Sequence, residues 1–127
     1  MTMRKTIGTI AAAVIGAAVL ATGAAAKDGD VLVAGTCTGP STAKLKLSEE
    51  DGAVEVEFEV DQNRNGVRWT VALFRNGTQV AQRVRVTRGP SGSFEARFVT
   101  ANRPGVDRFV AKAARAGERC SARASFA

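Results

Sequence analysis

From residue 31 onward the chain is patterned in twos. In Val54-Glu55-Val56-Glu57-Phe58-Glu59-Val60-Asp61 four apolar residues alternate with four acids, so Val54, Val56, Phe58 and Val60 fall on one side of a pleated strand and the acids on the other. The same alternation carries Ala43, Leu45 and Leu47, then Phe94, Ala96 and Phe98, then Cys120, Ala122, Ala124 and Phe126. Turn chemistry separates these runs: Asp51-Gly52, Asn65-Gly66, Asn76-Gly77, Arg88-Gly89-Pro90-Ser91-Gly92, Asn102-Arg103-Pro104-Gly105 and Ala116-Gly117. Eight strands follow, at 31–37, 42–48, 53–61, 67–75, 78–87, 93–100, 108–115 and 118–126. Short strands at such even spacing, with no helical period among them, predict an all-β, antiparallel two-sheet sandwich of about seven or eight strands.

Asn-Gly is the strongest short hairpin signal, because both central residues of a type I′ turn need positive φ. A two-residue turn at Asn65-Gly66 would pair 53–61 with 67–75, Val60 facing Val71 and Phe58 facing Leu73, apolar against apolar. In 78–87 the valines Val80, Val84 and Val86 share a face and leave Arg83 and Arg85 outward. Gln82 falls among the valines, which marks an edge strand or a bulge.

The N-terminus reads as an export signal: Arg4-Lys5, an apolar run from Ile7 to Leu20, and Ala24-Ala25-Ala26 as an A-x-A cleavage site. That run is interrupted by glycines and too weak for a stable span, and Lys27-Asp28-Gly29-Asp30 stands where a lipoprotein would need cysteine. The chain therefore divides into a signal peptide, 1–26, and one domain, 27–127, expected to be secreted with no membrane association after cleavage. Its 101 residues suit a single core. Cys37 and Cys120 are its two cysteines, one near each end. An oxidising compartment allows them to form a disulfide, whereas two cysteines without any histidine make a poor metal site.

One cysteine in an opening Gly35-Thr36-Cys37-Thr38-Gly39, the other in a closing Gly117-Glu118-Arg119-Cys120, and an alanine- and arginine-rich exported chain: the whole domain resembles the small secreted actinobacterial proteins with an immunoglobulin-like sandwich. The resemblance implies fold and compartment and carries over no catalytic residues. "Immunoglobulin-like" describes architecture only, since Trp69 lies 32 residues after Cys37, too far for the usual tryptophan of the third strand, and the chain has no tyrosine.

Charge is unevenly distributed along the sequence. Residues 27–61 hold three lysines against nine acids, a net of −6, and residues 62–127 hold thirteen Lys and Arg against Glu95, Asp107 and Glu118, a net of +10. Arg83, Arg85, Arg97, Arg119 and Arg123 all fall on outward strand positions by this reading. They are the candidate face for an anionic cell-envelope polymer or another surface protein; the alternative is that they only balance the acids. Nucleic acid is not expected, because most of the few aromatics alternate inward and leave no obvious stacking platform. Asp61-Gln62-Asn63-Arg64-Asn65-Gly66 has the form of the first half of a calcium loop, but its twelfth position is Ala72 where a bidentate glutamate is needed, and hairpin chemistry explains the same residues.

No enzyme is expected. Without histidine there is no Ser-His or Cys-His pair, and acids two apart on one strand share a flat face instead of facing across a cleft. No cofactor, metal or catalytic residue is expected. The function read from the residues is non-enzymatic binding or interaction at the cell envelope. The alternative is a small-ligand carrier or protease-inhibitor-like effector using the loops 88–92 or 102–105.

Overall fold

The computed structural model describes residues 29–127; the export signal read in residues 1–26 lies outside them. Nine strands follow in chain order: β1 Val31–Ala34, β2 Thr36–Cys37, β3 Thr42–Glu50, β4 Ala53–Asp61, β5 Arg68–Arg75, β6 Thr78–Val86, β7 Ser93–Ala101, β8 Asp107–Arg115 and β9 Glu118–Phe126. They form two antiparallel sheets, a five-stranded one in the order β2-β9-β8-β5-β6 and a four-stranded one in the order β1-β3-β4-β7. The all-β two-sheet sandwich expected from the alternation is the observed architecture. Inward residues of both sheets make one core, with Leu45, Val56 and Phe58 on one side and Trp69, Leu73 and Phe109 on the other all buried. The Trp69 and Phe94 rings meet across the sheets at 5.8 Å between centroids.

Two of the expected tight turns are present. Asp51 and Gly52 (φ 54° and 80°) turn β3 into β4, and Asn76 and Gly77 (φ 50° and 86°) turn β5 into β6, the paired positive φ values of type I′ hairpins. The third expectation is overturned. Ala53–Asp61 does not pair with the tryptophan strand: β4 pairs with β3 and β7, and β5 with β6 and β8. Around Asn65-Gly66 the positive φ values fall on Asn63 and Gly66, and the chain there crosses from one sheet to the other. Backbone bonds hold the crossing, Gln62 N–H to Gly92 O at 3.0 Å and Gly66 N–H to Thr87 O at 2.8 Å. The Thr87 hydroxyl donates to Arg64 O at 2.6 Å and accepts from Val67 N–H at 2.9 Å. Gly92 is required here, since a Cβ on it would stand 2.1 Å from Arg64 N.

The predicted first strand is also split. At Gly35 the chain leaves β3, which β1 pairs, and joins β9, which β2 pairs. A side chain at Gly35 would meet Ser121 O at 2.5 Å. This break raises the strand number to nine.

Cys37 and Cys120 form the expected disulfide and stand directly opposite each other on β2 and β9. The bridge therefore joins neighbouring strands of one sheet, unlike the inter-sheet bridge of antibody domains.

Each end of the sandwich is closed by a buried ionic clamp. At one end Glu118 accepts from Ser41 N–H (3.0 Å), the Ser41 hydroxyl (2.9 Å) and Arg115 (3.1 Å). At the other, Asp107 accepts from Arg75 (2.6 Å) and Asn76 (3.0 Å), while Arg75 also donates to Thr100 on the facing sheet at 2.7 Å. Burial pushes the Glu118 carboxyl up, but the Ser41 donors and Arg115 outweigh it and hold it below its ordinary value. Asp107 is likewise held low, chiefly by Arg75 and against the effect of burial. Carboxyls depressed in the folded state contribute stability that is complete above the ordinary carboxylate range and lost as pH falls through their folded values.

Acid is therefore expected to destabilise the domain, with the unfolding midpoint dropping between about pH 5 and about pH 2. Glu118→Ala should cost about 1–3 kcal/mol at neutral pH by stranding the Ser41 donors and Arg115, and should flatten that acid dependence. Urea titrations across pH check both; an acid slope unchanged by the substitution would contradict the assignment.

Candidate binding face

The register of the two sheets decides where each cation points. On β8 and β9 the inward residues Phe109, Ala111, Ala113, Cys120 and Ala122 leave Arg108, Lys112, Arg119 and Arg123 on the outer face, all exposed. Arg119 stands opposite Ala114 and Arg123 opposite Val110. Lys112 is thus the diagonal neighbour of both arginines, and Arg108 is the diagonal neighbour of Arg123. Diagonal positions lie about 7–8 Å apart, so Arg119, Lys112, Arg123 and Arg108 form a zigzag along the hairpin. Arg68 adds a fifth exposed cation to the same face, paired with Val86 on β6.

Among the described residues this face carries no acid. The two acids of the five-stranded sheet, Asp107 and Glu118, are 4% and 2% exposed and turned into the clamps at either end. None of Arg68, Arg108, Arg119 or Arg123 has a carboxylate within salt-bridge distance among the described residues. Lys112 lies over the Phe74 ring at 5.0 Å. Val84 and Val86 expose apolar surface at the β6 edge.

The five arginines picked out from the sequence do not form one surface. Arg119 and Arg123 lie on the basic face. Arg97 is on the opposite sheet, in an ion pair with Glu55, and that hydrogen bond, more than the opposing effect of burial, holds the Glu55 carboxyl low.

Arg83 and Arg85 are not outward. They pair with Val71 and Trp69, inward residues of β5, while Val84 and Val86 pair with the outward Thr70 and Arg68. The bulge between Leu73 and Phe74 leaves Val80 unpaired and resets the parity of β6. Because β6 is an edge strand, its inward side opens onto the seam between the sheets. There Arg83 lies over Phe98 at 5.0 Å and donates to Gln82 O, and Arg85 donates to Glu95 O and to Val84 O. Inward-pointing charge on an edge strand blocks the pairing of a further strand, and these two side chains occupy the seam in that way.

Sequence reasoning missed Arg68, Arg108 and Lys112. Their signal was the alternation itself: with Trp69, Phe109, Ala111 and Ala113 inward, the intervening cations must point out.

The remaining candidates are structural. Asp61 accepts from Asn63 N–H at 3.1 Å and Gln62 from the Trp69 indole at 3.0 Å, so the calcium-like stretch spends these side-chain oxygens on shaping the crossing. Cys37, Glu118 and Cys120 are close together, but both sulfurs are in the disulfide and Glu118 is held by its three donors. The loop 88–92 packs on the crossing beside a shallow groove of about 380 Å³ lined by Glu59, Arg85, Arg88 and Phe94. The loop 102–105 lies at the other end, where Asn102 N–H bonds Gly52 O at 3.2 Å. No protein-family model, curated protein or solved structure matches the chain.

Proposed function

We propose that this chain is an exported, non-enzymatic binding domain of the cell envelope, and that the outer face of its five-stranded sheet holds an anionic polymer. The observation that carries the reading is the acid-free zigzag Arg119, Lys112, Arg123 and Arg108, whose arginines have no carboxylate partner among the described residues. A row of cations of one sign on a flat face raises the local concentration of a polyanion and suits a repeating phosphate or carboxylate chain. Export is supported by the N-terminal Arg4-Lys5, apolar run and A-x-A site, and by the disulfide, a bond of oxidising compartments.

Retention on bacterial cell wall bearing phosphodiester polymers should be strong at low salt and fall steeply as the screening length drops below about 10 Å, above about 0.1 M. Arg119→Gln with Arg123→Gln should weaken it by about 2- to 30-fold, taking about 0.2–1 kcal/mol for each exposed charge removed. Arg97→Gln, on the other sheet, should leave it unchanged. Salt-independent retention, or equal effects from both faces, would overturn the reading.

A further inference from the structure

The basic face has a counterpart on the same molecule. The outer face of the four-stranded sheet carries Glu55, Glu57, Glu59, Asp61 and Glu95 against Lys44, Lys46 and Arg97, five acids to three cations. Each of those cations is already engaged locally, Lys44 with Glu59 at 3.3 Å, Lys46 with Asp30 at 3.8 Å, and Arg97 with Glu55. Glu95 stands directly opposite Glu59 and diagonal to Glu57, an arrangement in which like charges destabilise a strand pair. Burial first, and then Glu95, push the Glu57 carboxyl up. One face thus holds crowded carboxylates and the other guanidinium groups with no carboxylate partner among the described residues, with the core between them.

We infer that the two faces dock on each other in successive copies of the chain, the four-stranded outer face of one molecule seating on the five-stranded outer face of the next. Both are built mainly from strands of eight or nine residues. At about 4.8 Å between strands and about 3.4 Å per residue, and with β1 only four residues long, the smaller sheet offers about 500 Å². Two such faces bury about 1,000 Å² in total, the size of a weak, transient contact. Leu32 and Val99, 53% and 62% exposed on the acidic face, supply apolar contact to match Val84 and Val86. Because the patches differ, the contact is heterologous and propagates head to tail without closing by a two-fold axis. Its strength is electrostatic, so it is reversible and salt-sensitive. The inference does not depend on a polymer ligand; a polyanion would compete with the acidic face for the same cations.

The test is sedimentation of the exported protein at rising concentration in about 20 mM and about 500 mM salt, where the screening length shortens from about 20 to about 4 Å. The low-salt mass should grow with concentration, and at high salt the apparent Kd should rise at least about tenfold. Two variants make the result specific. Arg119→Gln with Arg123→Gln keeps only the acidic face, and Glu57→Gln with Glu95→Gln keeps only the basic one. Each alone should be monomeric with unchanged circular dichroism, and a mixture should form a one-to-one pair and stop there. A wild-type protein that stays monomeric at low salt would overturn the inference. So would a variant that still self-associates, or a mixture that stays monomeric or grows beyond the pair. No polymer is present in these experiments, so their failure leaves the cell-wall retention result standing on its own.

Discussion

Reducing the Cys37–Cys120 bridge is expected to remove about 4 kcal/mol of stability. The bond links residues separated by 83 positions, and in the chain-entropy model a closed loop of that size restricts the unfolded ensemble by about 4.5 kcal/mol. A domain of this size has only about 5–15 kcal/mol in total, so the loss is about a quarter or more of what it has. The local structure adds to the effect. β2 is two residues long and holds to β9 by two paired positions, plus Thr38 N–H to Arg119 O at 2.8 Å and Arg119 N–H to the Thr38 hydroxyl at 3.0 Å. When the bond opens, those few hydrogen bonds are left to hold the segment to β9, and the adjacent Ser41 hold on Glu118 is expected to loosen with it. Urea unfolding with and without reductant should show the midpoint falling by about 2–4 M at a slope of about 1–2 kcal/mol per M. Coincident curves would mean that the bridge does not restrain the domain.

The second large effect is expected at Trp69. Its side chain is fully buried, packs against Phe94 across the sheets, lies 5.6 Å beneath the Arg115 guanidinium and donates its indole N–H to Gln62. Trp69→Ala should cost about 4–5 kcal/mol, from the lost transfer energy and the cavity left behind. Trp69→Phe, which keeps most of the packing and loses the hydrogen bond, should cost about 1–2 kcal/mol. As the single tryptophan of the chain, Trp69 also reports its own environment, with blue-shifted native fluorescence that moves red on unfolding. A small loss for Trp69→Ala would mean the sheets do not close over this residue.

The same residue shows what the sequence could and could not convey. Alternation identified Trp69, Phe58, Leu45 and Phe98 as inward, and they are. It did not say whether two inward strands lie side by side in one sheet or face to face across the core, because both arrangements bury the same positions. Asn65-Gly66 therefore suggested a hairpin where the chain changes sheets. The ambiguity is settled by Thr87 and Gly92, residues more than twenty positions away that pin the crossing. Parity failed in β6 for a related reason. An edge strand exposes both its sides, so Val84 and Val86 can face solvent while Arg83 and Arg85 lie over the seam, and the bulge at Val80 shifts the count. The basic face was only partly legible: Arg119 and Arg123 sit on one regularly alternating strand, whereas the contributions of Arg68, Arg108 and Lys112 depend on which strands become neighbours. That β8 lies between β9 and β5 follows from long-range pairing that local pattern does not encode.

The most direct test of the account is a map of where a polyanion touches the folded domain. Titrating the isotopically labelled protein with inorganic polyphosphate at low salt should shift the amides of Arg108, Lys112, Arg119, Arg123 and their outward neighbours on β8 and β9, and added salt should reverse the shifts. Perturbations centred instead on the seam around Arg83 and Arg85, or on Arg97 and the acidic sheet, would contradict it.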